Sequence, residues 1–221
     1  MAESPFDRHL IRSWWAPAAR LLARDSAFWL AALVSVMLLG AALRFHGLDW
    51  DRPAGAPAPL QMHPDERFLS LVSDHLRWPS SVSEYFDTAN SPLNPYNDPD
   101  THSYVYGTFP LFLAKGVSTV AGDDGYDGTV VWGRRLTALT DVATIAVVFA
   151  LGCVLFNRRA ALLGALLYAL AVLPTQLAHF WTMDPYVTFF GALTLLLSAL
   201  LVTETRGSRA LVLSIALGCA I

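Results

Sequence analysis

Between Ala27 and Leu43 the chain reads AFWLAALVSVMLLGAAL, with no charge over 17 residues. Such a run hides its backbone polar groups only as a helix, and 17 residues reach the short end of a bilayer span. Three further runs share this character. Leu136–Phe156 carries one charge, Asp141, while Ala160–Ala178 and Tyr186–Val202 carry none. A last run, Ala210–Ile221, stops after 12 residues, too few to cross. A chain with this pattern is constrained to helices that cross or lie on a membrane. Charged residues make up 15% of it, against roughly 25% in a soluble domain.

The first run admits a rival, because a cleaved signal peptide also starts basic and continues apolar. Here the leading tail is long, with Arg8, Arg12, Arg20 and Arg24. The run ends at Leu43–Arg44 without a small-residue cleavage site, so a signal anchor is expected. Strict alternation puts this tail, Arg158–Arg159, and Arg206 with Arg209 on one side. The positive-inside rule makes that side cytoplasmic and the protein a multi-pass protein of the plasma (inner) membrane.

The expected order is a cytoplasmic tail over 1–26, a first span at 27–43 and an extracytoplasmic loop at 44–132. A second span at 133–156 and a third at 160–178 follow, then an outer turn at 179–185. A fourth span at 186–203 and the start of a fifth at 210–221 complete it. The fold class is therefore an all-α polytopic membrane protein with four spans, an incomplete fifth, and amphipathic helices in its long first outer loop. The net charge of −3 supplies no basic field, so nucleic acid is excluded as a partner. Cys153 and Cys219 both lie in apolar runs and read as small buried hydrophobes.

The outer loop holds twelve of the eighteen acidic residues and is rich in proline. Within it, Gln61–Trp78 predicts an amphipathic helix. Pro64 suits its first position, and Asp65 and Glu66 suit its first turn. Phe68, Leu69, Val72 and Leu76 form the apolar face. Asp65 and Glu66 would then point outward beside His63, either as solvated acids of a capped helix or as a catalytic pair. Gly107–Val120 is apolar but short and contains Lys115, which predicts an interfacial helix. Asp184 precedes Pro185 at the mouth of a span, as an N-cap or as a second acid of the site. Asp141 lies inside a span, where a charge is costly and marks function or a pair. Arg44, Arg134 and Arg135 are its candidate partners. His63 with Asp65 and Glu66 could take a divalent metal, although no H-E-x-x-H or paired-cysteine spacing is present.

Read in order, these motifs resemble a known family. A span ends in LRFHGLDW, an outer loop carries HPDE, a second span opens GRRLTALTD and closes LFNRR, and a third leads into HFWTMDPYVTFF. This is similar to the N-terminal part of GT-C class membrane glycosyltransferases. It is closest to the polyprenyl-phosphate-sugar-dependent branch, which includes protein O-mannosyltransferases and aminoarabinose transferases. The resemblance implies a GT-C-like fold and a polyprenyl-phosphate-linked sugar as donor. It implies a glycan, lipid or protein acceptor at the outer face of the bilayer.

The resemblance also implies site residues. Asp65 corresponds to the catalytic acid, with Glu66 its neighbour, and Asp184 to the second outer acid. Arg135, or else Arg134, corresponds to the arginine that opens the second span. A carboxylate such as Asp65 would deprotonate an acceptor hydroxyl for in-line, inverting attack. Arg44, Arg67, Arg134 and Arg135 are the candidates to bind substrate and steady the departing phosphate. Members of the family usually have eleven or more spans, so this chain is expected to be the N-terminal portion of a longer enzyme. The competing expectation is a non-catalytic assembly or polyprenyl-lipid-binding module. A transporter is disfavoured, because the spans lack the paired breaks of inverted repeats.

Overall fold

The structure, a computed structural model, describes residues 24–204 and 206–220. The tail through residue 23, with Arg8, Arg12 and Arg20, lies outside them, as does Ile221. Among the described residues the secondary structure is helical throughout. In chain order the helices are α1 (Arg24–Phe45), α2 (Pro64–His75), α3 (Val82–Phe86), α4 (Thr108–Ala121) and α5 (Tyr126–Leu155). They continue with α6 (Arg158–Leu170), α7 (Val172–Leu177), α8 (Asp184–Thr203) and α9 (Gly207–Ala220). Three are long and apolar enough to cross a membrane: Ala27–Phe45 in α1, α5, and Asp184–Val202 in α8. The chain is a multi-pass membrane protein.

The third apolar run, expected as one span over 160–178, is two helices set end to end. Pro174 explains the break. It has no N–H, and inside one continuous helix its ring would strike the Leu170 carbonyl. The chain therefore leaves the helix at Ala171, in extended geometry (φ −65°, ψ 129°), and restarts at Val172. The break frees the last carbonyls of α6, and Arg44 takes two of them. Its guanidinium donates to Ala169 O at 2.9 Å and Tyr168 O at 3.3 Å.

That guanidinium also pairs with Asp141, inside α5. Both side chains are buried, and Asp141 further accepts from the Tyr168 hydroxyl. The intramembrane charge of α5 is thus neutralised by the basic end of α1. Beneath it α1, α5 and α6 pack through Val36, Ile145, Phe149, Ala161, Ala165 and Ala169. Hydrophobicity does not drive helices together in lipid, so close approach of small residues does. A Cβ on Gly152 would stand 2.7 Å from Ala161 Cα.

α5 has 30 residues and so measures about 45 Å, well beyond the roughly 30 Å hydrocarbon thickness. Its first turns extend into the outer-loop assembly. There a second core joins α2, α4, α5 and the second outer turn: Leu69, Val72, Leu76, Leu111, Ala114, Val130 and Trp181. α2 spans Pro64–His75, with Pro64 at its first position and Leu69 and Val72 fully buried. α4 follows the apolar segment and closes on Gly122 at φ +74°, a conformation suited to glycine. Lys115 is buried within it and donates to Asp124 O at 2.9 Å.

Candidate active site

α2 fixes two adjacent acids in opposite surroundings. Its N-cap is His63, whose Nδ1 accepts from the Asp65 N–H at 3.2 Å. The His63 ring also leans on Phe180, with centroids 5.0 Å apart. Successive helical residues point about 100° apart. Asp65 and Glu66 therefore cannot share an environment when one face of α2 is packed.

Glu66 faces inward, which corrects the outward placement expected of it. It is fully buried. Its Oε1 accepts from Arg134 Nε and its Oε2 from Arg134 Nη2, each at 2.7 Å. Oε1 also accepts the Trp181 backbone N–H at 2.8 Å. Arg134 completes its set by donating to Asp51 Oδ1 (2.8 Å), Asp51 Oδ2 (3.0 Å) and Leu48 O (2.7 Å). An arginine has five N–H donors, and here all five are engaged. Burial alone would raise the Asp51 carboxyl, but hydrogen bonds and charge attraction from Arg134 hold it below its usual value.

Two of the arginines expected to bind substrate are engaged within the protein. Arg134, expected to bind substrate, has no donor left unless it releases a carboxylate or carbonyl. Arg44, expected in the same role, is buried against Asp141 and the α6 carbonyls.

Asp65 is different. Among the described residues it has no ion-pair partner. Its carboxylate lies near enough to the Tyr106 phenol for its charge to act on it. Asp184 lies close enough for its charge to act on the same hydroxyl. The two outer acids, 119 positions apart, are thus brought to one tyrosine. Burial first, then Asp65 and Asp184, pushes the Tyr106 phenol above its ordinary value of 10.0. Asp184 is the first residue of α8 and makes no side-chain cap; the N-cap is Met183. Asp184 is solvent-exposed.

Beside these acids a cavity of about 860 Å³ opens between α4, α8 and α9. Gly107 and Met183 belong to its lining, and they are the chain neighbours of Tyr106 and Asp184. Phe109, Tyr186 and Phe190 supply aromatic walls, and Cys219 lies on the lining contributed by α9. Arg135 is exposed, with its guanidinium 4.7 Å from the Trp132 ring, and lines a separate cavity with Arg52 and Phe45. Arg67 is exposed and donates to Gln61 O at 3.3 Å. For metal binding, His63 spends Nδ1 on its cap and Glu66 spends both oxygens on Arg134. Among the described residues no three His, Cys, Asp or Glu side chains converge on a metal position.

Sequence reasoning missed Asp51 and Tyr106 as members of this region. Asp51 carries no motif. Tyr106 belongs to an aromatic-rich stretch, Tyr104–Phe109, that carries no motif of its own.

The comparison with known proteins agrees with this helical arrangement. No curated protein and no solved structure matches the chain. Residues 110–221 match the sequence profile of the dolichyl-phosphate-mannose-protein mannosyltransferase family. The matched part holds Arg134, Arg135 and Asp184 and begins after Asp65. It covers half of the chain, which belongs to the dolichyl-phosphate-mannose-protein mannosyltransferase family, a family of GT-C-type membrane glycosyltransferases.

Proposed function

We propose that this chain carries the transfer centre of an inverting glycosyltransferase, with a polyprenyl-phosphate sugar as donor. Asp65 is the general base. The observation that carries the assignment is the unequal fate of the two adjacent acids. Glu66 is saturated by Arg134 and Trp181, whereas among the described residues Asp65 has no ion-pair partner, and it shares with Asp184 an influence on the Tyr106 phenol.

In the proposed step Asp65 takes the proton of an acceptor hydroxyl. The acceptor oxygen bonds to the anomeric carbon as the carbon–oxygen bond to phosphate breaks. Polyprenyl phosphate leaves as an anion. One base and one displacement give inversion without a covalent enzyme intermediate. Asp184 shapes the acceptor side. Arg67 and Arg135 keep exposed guanidinium groups at the outer side and are the residues to meet phosphate charge. The aromatic cavity between α4 and α8 suits the prenyl chain near its sugar end. An extracytoplasmic position for this centre is supported by the positive-inside rule, since Arg158, Arg159, Arg206 and Arg209 lie at the opposite ends of the long helices.

The test uses membranes containing the protein and tritiated polyprenyl-phosphate mannose. Asp65→Asn should abolish transfer while membrane level and thermal stability stay normal. Wild-type transfer by that variant would refute the assignment and favour a non-catalytic lipid-binding role.

A further inference from the structure

The cavity between α4, α8 and α9 follows one stripe of α8. After the N-cap Met183, its lining takes Tyr186, Val187, Phe190, Gly191 and Thr194, which recur at helical spacing and so share one face. From Asp184 to Thr194 that face descends about 15 Å along the helix axis. The cavity thus starts beside an outer acid and runs about halfway through the roughly 30 Å hydrocarbon layer. Phe109 of α4 stands across from the stripe, with its ring centroid 6.4 Å from Tyr186 and 5.6 Å from Phe190. At the level of Phe190 the α8 wall thins to Gly191. A Cβ added there would meet nothing within 4 Å. Other glycines of the long helices serve close packing: a Cβ on Gly40 would run into Ile145, and one on Gly152 into Ala161. Gly191 serves no such contact among the described residues, and its φ is not positive. A glycine inside a helix weakens it relative to alanine. What Gly191 supplies in return is room in the cavity.

We infer that Gly191 is a specificity-determining residue, which keeps the cavity open to the isoprene units of the donor beyond the first and so favours long-chain donors. This rests on the reading of the cavity as the prenyl site. An occupant with its polar end at Asp184 and the rest of its length along an apolar, aromatic stripe is an amphiphile with one long tail. Each isoprene unit carries a methyl branch, so a prenyl tail is wider than a plain alkyl chain and needs a gap in the wall. Val187 lies four residues above Gly191 on the same stripe, about 6 Å nearer the outer acid. The first isoprene unit therefore passes Val187, and later units pass Gly191. A side chain at position 191 would project into the path of those later units and leave the head of the donor untouched.

The experiment measures transfer in the protein's own membranes from two tritiated mannosyl donors, polyprenyl-phosphate mannose and dimethylallyl-phosphate mannose, whose lipid is a single isoprene unit. Rates are normalised to the membrane level of each variant. Gly191→Leu should lower the ratio of long-donor to short-donor kcat/KM about tenfold, chiefly through the KM of the long donor. Gly191→Ala, which strengthens the helix and meets open space, should shift the ratio in the same sense by less. Val187→Trp should impair both donors together. Asp65→Asn should be inactive with both. An unchanged donor ratio in Gly191→Leu, beside impaired Val187→Trp and inactive Asp65→Asn, would overturn the role of Gly191 alone. An equal loss with both donors in Gly191→Leu would do the same. Full activity of Val187→Trp with both donors would show that the prenyl chain lies elsewhere and would overturn the reading of the cavity, and this inference with it. Full activity of Asp65→Asn would overturn the reading of the base.

Discussion

Glu66 and Arg134 meet in a fully buried, two-point ion pair, with both contacts at 2.7 Å. The pair joins α2 to α5 and, through Asp51 and Trp181, gathers both outer segments around one guanidinium. Removing one partner of such a pair strands a buried charge. Glu66→Ala should therefore destabilise the protein by about 3–5 kcal/mol. For a chain of this size that is a fall of roughly 10 °C in melting midpoint. Asp65→Asn, on the neighbouring residue, should stay within about 0.5 kcal/mol of wild type. Thermal melts of the two variants in one detergent check the contrast. Equal losses would show that the two acids are not divided in this way.

Arg44 and Asp141 form the corresponding pair inside the membrane. Either single change, Arg44→Ala or Asp141→Ala, should lower the folded yield sharply, by about 3–5 kcal/mol of stability. Replacing both by apolar residues, Arg44→Met with Asp141→Leu, should recover part of that loss, since no bare charge remains. Recovery should be incomplete, because Arg44 also satisfies the Ala169 and Tyr168 carbonyls freed by the Pro174 break. Detergent-resistant monomer recovered from membranes measures the series.

The outer loop carries an acid-sensitive clasp. Asp98 is buried and accepts from the Thr101 N–H (2.7 Å), the Thr101 hydroxyl (2.9 Å) and the Asp100 N–H (3.1 Å). Its Oδ2 lies 2.8 Å from the His75 ring at the end of α2. Burial would raise its carboxyl, but these hydrogen bonds outweigh that and hold it below the ordinary 3.8. A depressed acid contributes stability that is complete above its unfolded value and disappears as pH falls through the folded one. Amide protection across 87–101 should therefore be flat above about pH 5 and decline on further acidification. Asp98→Asn should remove that decline. A variant profile that keeps the wild-type slope would place the acid-sensitive group elsewhere.

Much of this architecture is legible along the chain, and the exceptions have physical reasons. Uncharged runs reveal membrane helices because lipid leaves the backbone no other solution. Pro64 and the Phe68, Leu69, Val72, Leu76 spacing reveal α2. The break at Ala171 was equally available in Pro174, but hydropathy averages over a proline and hides it. Side-chain pairing is what sequence does not carry. Arg44, Arg134 and Arg135 are equivalent candidates for Asp141 by position, and only helix rotation gives it to Arg44. Asp65 and Glu66 are likewise adjacent equals until one face of α2 is packed against α5. Tyr106 comes near Asp65 with forty residues between them in the chain, and no local pattern encodes that.

Gly133 offers a last test of the way α5 supports the site. It lies one residue before Arg134, and the Trp181 indole packs directly on its Cα. A Cβ there would overlap the ring at Cγ and Cδ2. Trp181 cannot yield easily, because it is fully buried and its backbone N–H is tied to Glu66. In a helix interior, glycine to alanine gains up to about 1 kcal/mol of propensity. Overpacking typically costs about 1–3 kcal/mol, so the steric term should win. Gly133→Ala is thus expected to lower the melting midpoint, and Trp181 fluorescence should shift as the indole is displaced. Transfer should fall with it, since Trp181, Glu66 and Arg134 hold the end of α2 that presents Asp65. Gly164→Ala, on α6 and away from the cavity between α4, α8 and α9, serves as the control, because the added methyl would meet only Val148 Cγ1, at an ordinary 3.8 Å. It should match or slightly exceed wild-type stability. A Gly133→Ala variant as stable and active as that control would mean that the Trp181 contact does not brace the site.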